Sequence, residues 1–155
     1  MKLPARLGLA AAILVLDRLT KLWAMGWLAE RGSVALLPFL HLTYVENTGA
    51  AFGLGRARNG FFIALAGALL CVLIWLQRSW SGKNRWIQVG LVLVAGGALG
   101  NLWDRISYGA VIAFIDFRVW PVFNVADSCI TIGAGVLAWG LRLDEKATQA
   151  SSRAP

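Results

Sequence analysis

Two runs of 18 residues, Gly60 to Gln77 and Trp86 to Trp103, contain no Asp, Glu, Lys or Arg. That length is enough for a helix to cross the apolar part of a bilayer. A core helix of a soluble domain normally carries a charged stripe, and these runs have none. Lipid is therefore the expected solvent for much of this chain. The composition agrees: 58% of the 155 residues are hydrophobic and 15% charged, where soluble domains hold about a quarter charged.

Two further segments fit the same reading. Residues 1–16 imitate a secretory leader, with Lys2 and Arg6 before an apolar stretch. Asp17-Arg18-Leu19-Thr20-Lys21 stands where a small-residue cleavage site would be expected, and apolar residues resume to Leu28. A retained span over about 7–28 is the better reading. A fourth span is expected over about 123–141. The predicted fold is an all-α polytopic membrane protein of one domain. Its spans are 7–28, 60–77, 86–103 and 123–141, joined to a small β-rich cradle. Blocks 30–59 and 104–122 fall on one side; loop 78–85 and a polar, disordered tail 142–155 fall on the other. Phe39 to Glu46 mixes β-branched and aromatic residues in partial alternation, as a strand or hairpin does. Residues 46–53 then read as a turn.

Lys2, Arg6, Arg78, Lys83, Arg85, Arg142, Lys146 and Arg153 would share the side of both termini. Arg31, Arg56, Arg58, Arg105 and Arg118 would be spread over the longer blocks opposite. The positive-inside rule places the termini in the cytoplasm. Trp75, Trp80, Trp86 and Trp139 would mark that interface, and Trp23, Trp27, Trp103 and Trp120 the other. Gly96, Gly97 and Gly100, with Ala64, Gly67 and Ala68, would permit close helix packing.

The net charge of +7 does not argue for nucleic acid. The basic residues sit in short segments between apolar runs, as anchors do. Cys71 and Cys129 lie inside apolar runs and form no disulfide framework. One histidine, His41, is too few for a metal or haem cluster. The glycines between Gly53 and Gly60 fit no phosphate-binding fingerprint.

The polar residues inside or beside the spans carry the chemistry. Asn-x-x-Asp occurs twice, as Asn101/Asp104 and Asn124/Asp127. Residues three apart on a helix share a face, so each pair sets an amide beside a carboxylate. Asn124 could equally be a helix N-cap, with Asp127 in the favourable first turn. Asn101 and Asp104 could simply close the third span, although an acid at a helix C-terminus opposes the dipole and calls for a cation. Arg105 or the neighbours of Asp17 could supply it. Asn47 is most simply a turn residue. Asp17 and Lys21 are spaced to pair; the pair either neutralises itself, serves the chemistry, or braces a site. Without metal ligands or a nucleophile–histidine pair, acid–base work by aspartates is the chemistry left. Two carboxylates at about 4–5 Å repel by roughly 3–4 kcal/mol. They then share a proton, so one is the acid and the other the base, and water can be activated for peptide hydrolysis.

With those residues in place, the chain resembles lipoprotein signal peptidase, the intramembrane aspartyl protease also called signal peptidase II. The matching stretches are residues 16–21, 46–53, 97–105 and 123–128, in the family's order. The resemblance implies four spans with a periplasmic β-rich cradle in the bacterial inner membrane. It implies cleavage of the signal peptide from a diacylglyceryl-modified prolipoprotein, before the lipid-bearing cysteine. It implies no cofactor and no metal, a monomer, contact with membrane lipids, and susceptibility to the family's cyclic peptide inhibitors. Residue by residue, it makes Asp127 one catalytic aspartate. Asp17, Asn47, Asn101, Asp104, Arg105 and Asn124 would line or support the site. One departure stands out: the slot of the other catalytic aspartate holds Ala113. Asp116 lies three residues later, where the family can also carry an acid, and is a poor substitute. The resemblance thus implies a scaffold that binds substrate and is impaired in cutting it. The rivals are a natural non-catalytic relative that binds lipidated peptides, and a small proton-coupled transporter. The transporter would need ionisable groups along both membrane halves, and the second and third spans carry none in one half.

Overall fold

The computed structural model describes residues 1–49, 59–80 and 82–152. Pro4 stands in the first turn of α1 (Leu3–Trp23), where its missing N–H is no loss. The helix then loosens into one π-helical turn, Ala24–Leu28. A hairpin follows, β1 (Ser33–Leu37) and β2 (Leu40–Asn47). Next come α2 (Asn59–Ser79), α3 (Arg85–Tyr108), β3 (Val111–Asp116) and α4 (Val125–Ser152). The strands form one antiparallel sheet in the order β1-β2-β3. The fold is thus mainly helical with a small three-stranded sheet. Two of its helices, α2 and α3, are by themselves long and apolar enough to cross a membrane.

Helices α3 and α4 are in intimate contact, because glycine lets their backbones meet. A Cβ on Gly90 would lie 2.6 Å from the Leu137 nitrogen, and one on Gly133 would lie 2.7 Å from Leu93 Cβ. A Cβ on Gly97 would collide with the Ala126 carbonyl oxygen. Gly67, grouped with them from sequence, meets nothing. Helix α2 lies at the edge of the bundle, with Leu73 its one buried residue among those described. Leu73 packs with Ile87, Leu91 and Val94.

A second apolar cluster joins the sheet to the bundle. Ala24 and Leu28 of the π-helical turn pack on Phe114 of β3, with Val34, Leu42, Tyr44 and Val125 around them. Phe114 and Ile115 donate their N–H groups to the Phe123 carbonyl at 3.0 and 2.8 Å, and Phe123 donates back to Ile115 at 3.0 Å. The chain therefore returns from the tip at residues 117–120 directly alongside β3 and enters α4.

Several element boundaries differ from expectation. Helix α3 continues beyond Trp103 to Tyr108 and ends at Gly109, whose φ of 75° is left-handed. Asp104, expected to open an outside block, is consequently inside the helix. Residues 111–116, expected only as part of the block 104–122, form β3 and pair along β2. The tail, expected to be disordered, is helical to Ser152. Its side chains support the helix locally: Gln149 Nε2 donates to Glu145 Oε1 at 3.3 Å, and Lys83 holds Asp144 at 2.5 Å. The expected turn over 50–53, and Arg56, Arg58 and Arg153, lie outside the described residues.

Candidate active site

The N-terminus of α4 is where the site is built. Its first N–H groups have no partners inside the helix. Asn124 caps it: its Oδ1 accepts from the Asp127 N–H at 2.8 Å, while Asp127 Oδ2 accepts from the Asn124 N–H at 3.2 Å. This is a reciprocal capping box. The Ala126 N–H donates to Asp17 Oδ1 at 3.0 Å, across from α1. Gly100 makes room for that carboxylate, since a Cβ there would sit 2.7 Å from Asp17 Oδ2.

The amide of Asn124 is fully used. Its Nδ2 donates to the Ile112 carbonyl at 2.9 Å and to Asn101 Oδ1 at 3.1 Å. Asn101 in turn donates from Nδ2 to Asp127 Oδ1 at 2.7 Å. One oxygen of Asp127 is thus held by α3 and the other by its own helix start.

Below this lies a buried ion cluster. Lys21 Nζ reaches Asp17 Oδ2 at 2.8 Å, Asp104 Oδ2 at 2.7 Å and Asn101 Oδ1 at 3.1 Å. Those three acceptors match the three donors of an ammonium. Arg18 pairs with the other oxygen of Asp104, and the Ile112 N–H donates to Asp104 Oδ2 at 3.2 Å. Lys21 and Asp104 are completely buried. Two cations and two anions make the cluster neutral, which is how buried charge is tolerated. The cation that Asp104 required is thus supplied by Arg18 and Lys21. Arg105 instead donates to the Gly49 carbonyl at 2.9 Å and stacks on Phe62.

Asp17, Asn101, Asp104, Asn124 and Asp127 therefore meet in one network. Ala113, 1% exposed, follows Ile112, whose N–H and carbonyl both belong to that network. Asn47 ends β2 opposite Val111 of β3, and its side chain accepts from the Gly49 N–H at 2.9 Å. Asp116 is committed elsewhere. It accepts from the Thr43 hydroxyl at 2.8 Å, the Arg118 N–H at 2.7 Å and the Arg118 guanidinium at 3.4 Å. Burial opposes ionisation of Asp116, but these donors outweigh it and hold its carboxyl below the ordinary value. Positions 113 and 116 point to opposite faces of a strand. Lys21 and Arg18 were missed as site residues. The spacing of Asp17 and Lys21 hinted at one pair, and the acid at the end of α3 called for a cation that either Arg105 or the neighbours of Asp17 could supply; the structure selects the latter.

Asp127 is half-buried and forms no ion pair among the described residues. It borders a groove of about 430 Å³ lined by Phe117, Trp120, Phe123, Ser128, Thr131 and Ile132. Among the described residues no three His, Cys, Asp or Glu side chains gather as metal ligands. The arrangement is a single oriented carboxylate at the edge of an apolar trough, suited to accepting a proton from water beside an extended apolar chain.

The family described as signal peptidase (SPase) II matches residues 9–143, which include every residue of this network. The chain belongs to the signal peptidase II family. A lipoprotein signal peptidase of Pelotomaculum thermopropionicum is 38% identical over 144 residues, covering 92% of this chain and 95% of that protein. One from Thermodesulfovibrio yellowstonii is 45% identical over 126 residues, covering 78% and 83%. A solved bacterial membrane enzyme, determined by the in meso method at 2.3 Å resolution, superposes with a TM-score of 0.82 at 31% identity. It covers 92% of this chain and 90% of that one. Signal peptidase II is a family of membrane proteases, so the apolar helices and the carboxylate network have a common context.

Proposed function

We propose that this chain is an intramembrane aspartic endopeptidase framework for the signal peptides of lipid-modified prolipoproteins, and that Ala113 leaves its hydrolysis strongly impaired. The observation that carries this reading is Asp127. It is half-buried, oriented by Asn101 and Asn124, and set at the rim of an apolar groove. A carboxylate so held can take a proton from water as the water attacks a peptide carbonyl. A second acid is then needed to polarise that carbonyl and protonate the leaving amine. Position 113, next to Ile112 in the network, is where the family pattern expects it, and a methyl group stands there. General acid or base assistance contributes about 10²–10⁴-fold, so turnover falls by that order while the groove still takes the peptide. Asp17, Asn101, Asp104 and Asn124 support Asp127 rather than react. Arg105 and Asn47 shape the neighbouring chain at Gly49.

The proposed setting is the bacterial inner membrane, with four spans and both termini cytoplasmic. The distribution of Lys and Arg supports that orientation. In it, the sheet and the groove beside Asp127 lie near the periplasmic face.

The test is cleavage of a lipidated prolipoprotein peptide by three variants. Ala113→Asp is expected to raise cleavage by at least ~10²-fold. In that background Asp127→Asn abolishes it, and Asp116→Asn lowers it far less. Robust cleavage by the unaltered chain, lost on Asp116→Asn, would make Asp116 the second acid and overturn the assignment.

A further inference from the structure

A second groove among the described residues lies at the end of the bundle remote from Asp127. It is an open groove of about 660 Å³, lined by α1, α2 and α3. It shares no lining residue with the groove beside Asp127. Leu3, Leu7 and Ala10 of α1 form one wall, and Leu73 and Ile74 of α2 the other. Val92 and Ala95 of α3 make the floor. Leu3, Leu7 and Ile74 are more than half or half exposed, so their apolar surface is offered to whatever enters. The polar lining residues are Arg6, Gln77 and Arg78. Gln77 is occupied with Gln88 at 2.7 Å. Arg6 uses its Nε on the Met1 carbonyl at 2.9 Å. Two guanidiniums from different helices thus flank one long apolar trough.

We propose that this groove is a binding site for an anionic phospholipid, with its phosphate between Arg6 and Arg78 and an acyl chain along the trough. The guanidinium fork matches phosphate oxygens, and the volume is that of a ligand pocket. The apolar walls favour an acyl chain over a soluble anion. Charge complementarity selects an anionic over a zwitterionic headgroup. The proposal does not depend on the peptidase reading, because its readout is lipid binding.

The experiment titrates the detergent-purified full chain with dioleoylphosphatidylglycerol and with dioleoylphosphatidylcholine, counting bound lipids by native mass spectrometry. One phosphatidylglycerol is expected to bind several-fold tighter than phosphatidylcholine. Arg6→Gln and Arg78→Gln should each weaken phosphatidylglycerol about fivefold and leave phosphatidylcholine unchanged. Ala10→Trp, which fills the trough, should remove the tight site. Arg78 is exposed, so its variant tests the headgroup contact without disturbing the core. Arg85, which does not line the groove, supplies the control, and Arg85→Gln should leave affinity unchanged. Equal affinity for the two lipids would overturn the site. So would an effect of Arg85→Gln as large as that of Arg78→Gln, which would mean diffuse attraction to basic charge.

Discussion

Lys21 and Asp127 sit a few side chains apart, yet removing them should have opposite kinds of consequence. Lys21 is the common partner of Asp17 and Asp104, and all three are buried. Replacing it with Met leaves two anions short of a cation, and breaking a buried pair costs roughly 3–5 kcal/mol. Asp127 forms no ion pair among the described residues. Asp127→Asn keeps one acceptor oxygen, so it retains one of the contacts to Asn101 and Asn124 and loses the other; it should cost roughly 1 kcal/mol, while ending turnover in the Ala113→Asp background. Thermal unfolding of the two purified variants checks this. If Asp127→Asn unfolds as readily as Lys21→Met, Asp127 is a structural residue and the proposed chemistry loses its base.

At the scale of elements, the approach of α3 to α4 is set by glycine. Gly97→Ala would drive a methyl group into the Ala126 carbonyl and the Ile130 side chain, at a cost of roughly 1–3 kcal/mol. It would also shift the residue whose N–H Asp17 holds, so activity of the Ala113→Asp chain should fall with stability. Gly67→Ala meets open space and should be neutral or slightly stabilising, since alanine is the better helix former by about 1 kcal/mol. Equal melting shifts for the two would contradict the packing described. The elements also divide by what a sequence can disclose. The Asn124 cap was legible because a capping box is closed within four residues. Of the hairpin, β2 was legible from the alternation over 39–46, whereas β1 at 33–37 was not. Strand β3 was not: Val111 to Phe114 are all buried, which erases the period of two, and its pairing partner lies on β2. The extension of α3 past Trp103 was hidden because Asp104 and Arg105 look like an ending until Arg18 and Lys21 are placed beside them.

For the whole molecule, the proposed orientation can be read by labelling. With Cys71 and Cys129 replaced by Ser, a cysteine at Val119, which is 91% exposed, should react with an impermeant reagent from outside intact cells. One at Lys83 should react only after permeabilisation. The reverse pattern would put the groove beside Asp127 on the cytoplasmic side. Overall architecture was more legible than the site. Uncharged runs announce spans by length alone, whereas the network joins residues from α1, α3, β3 and α4.

That dispersal has a consequence for how α1 is held. Arg18 meets its carboxylate 86 positions later in the chain, and Asp17 caps a helix that starts more than a hundred residues downstream. Within α1, the one ion pair among the described residues is that between Asp17 and Lys21, one turn apart. Unmatched charge at the middle of an apolar segment resists release into lipid. The charges of α1 are therefore fully matched only when α3 and α4 are packed against it. The contacts that lock α1 in place are thus the same ones that assemble the surroundings of Asp127.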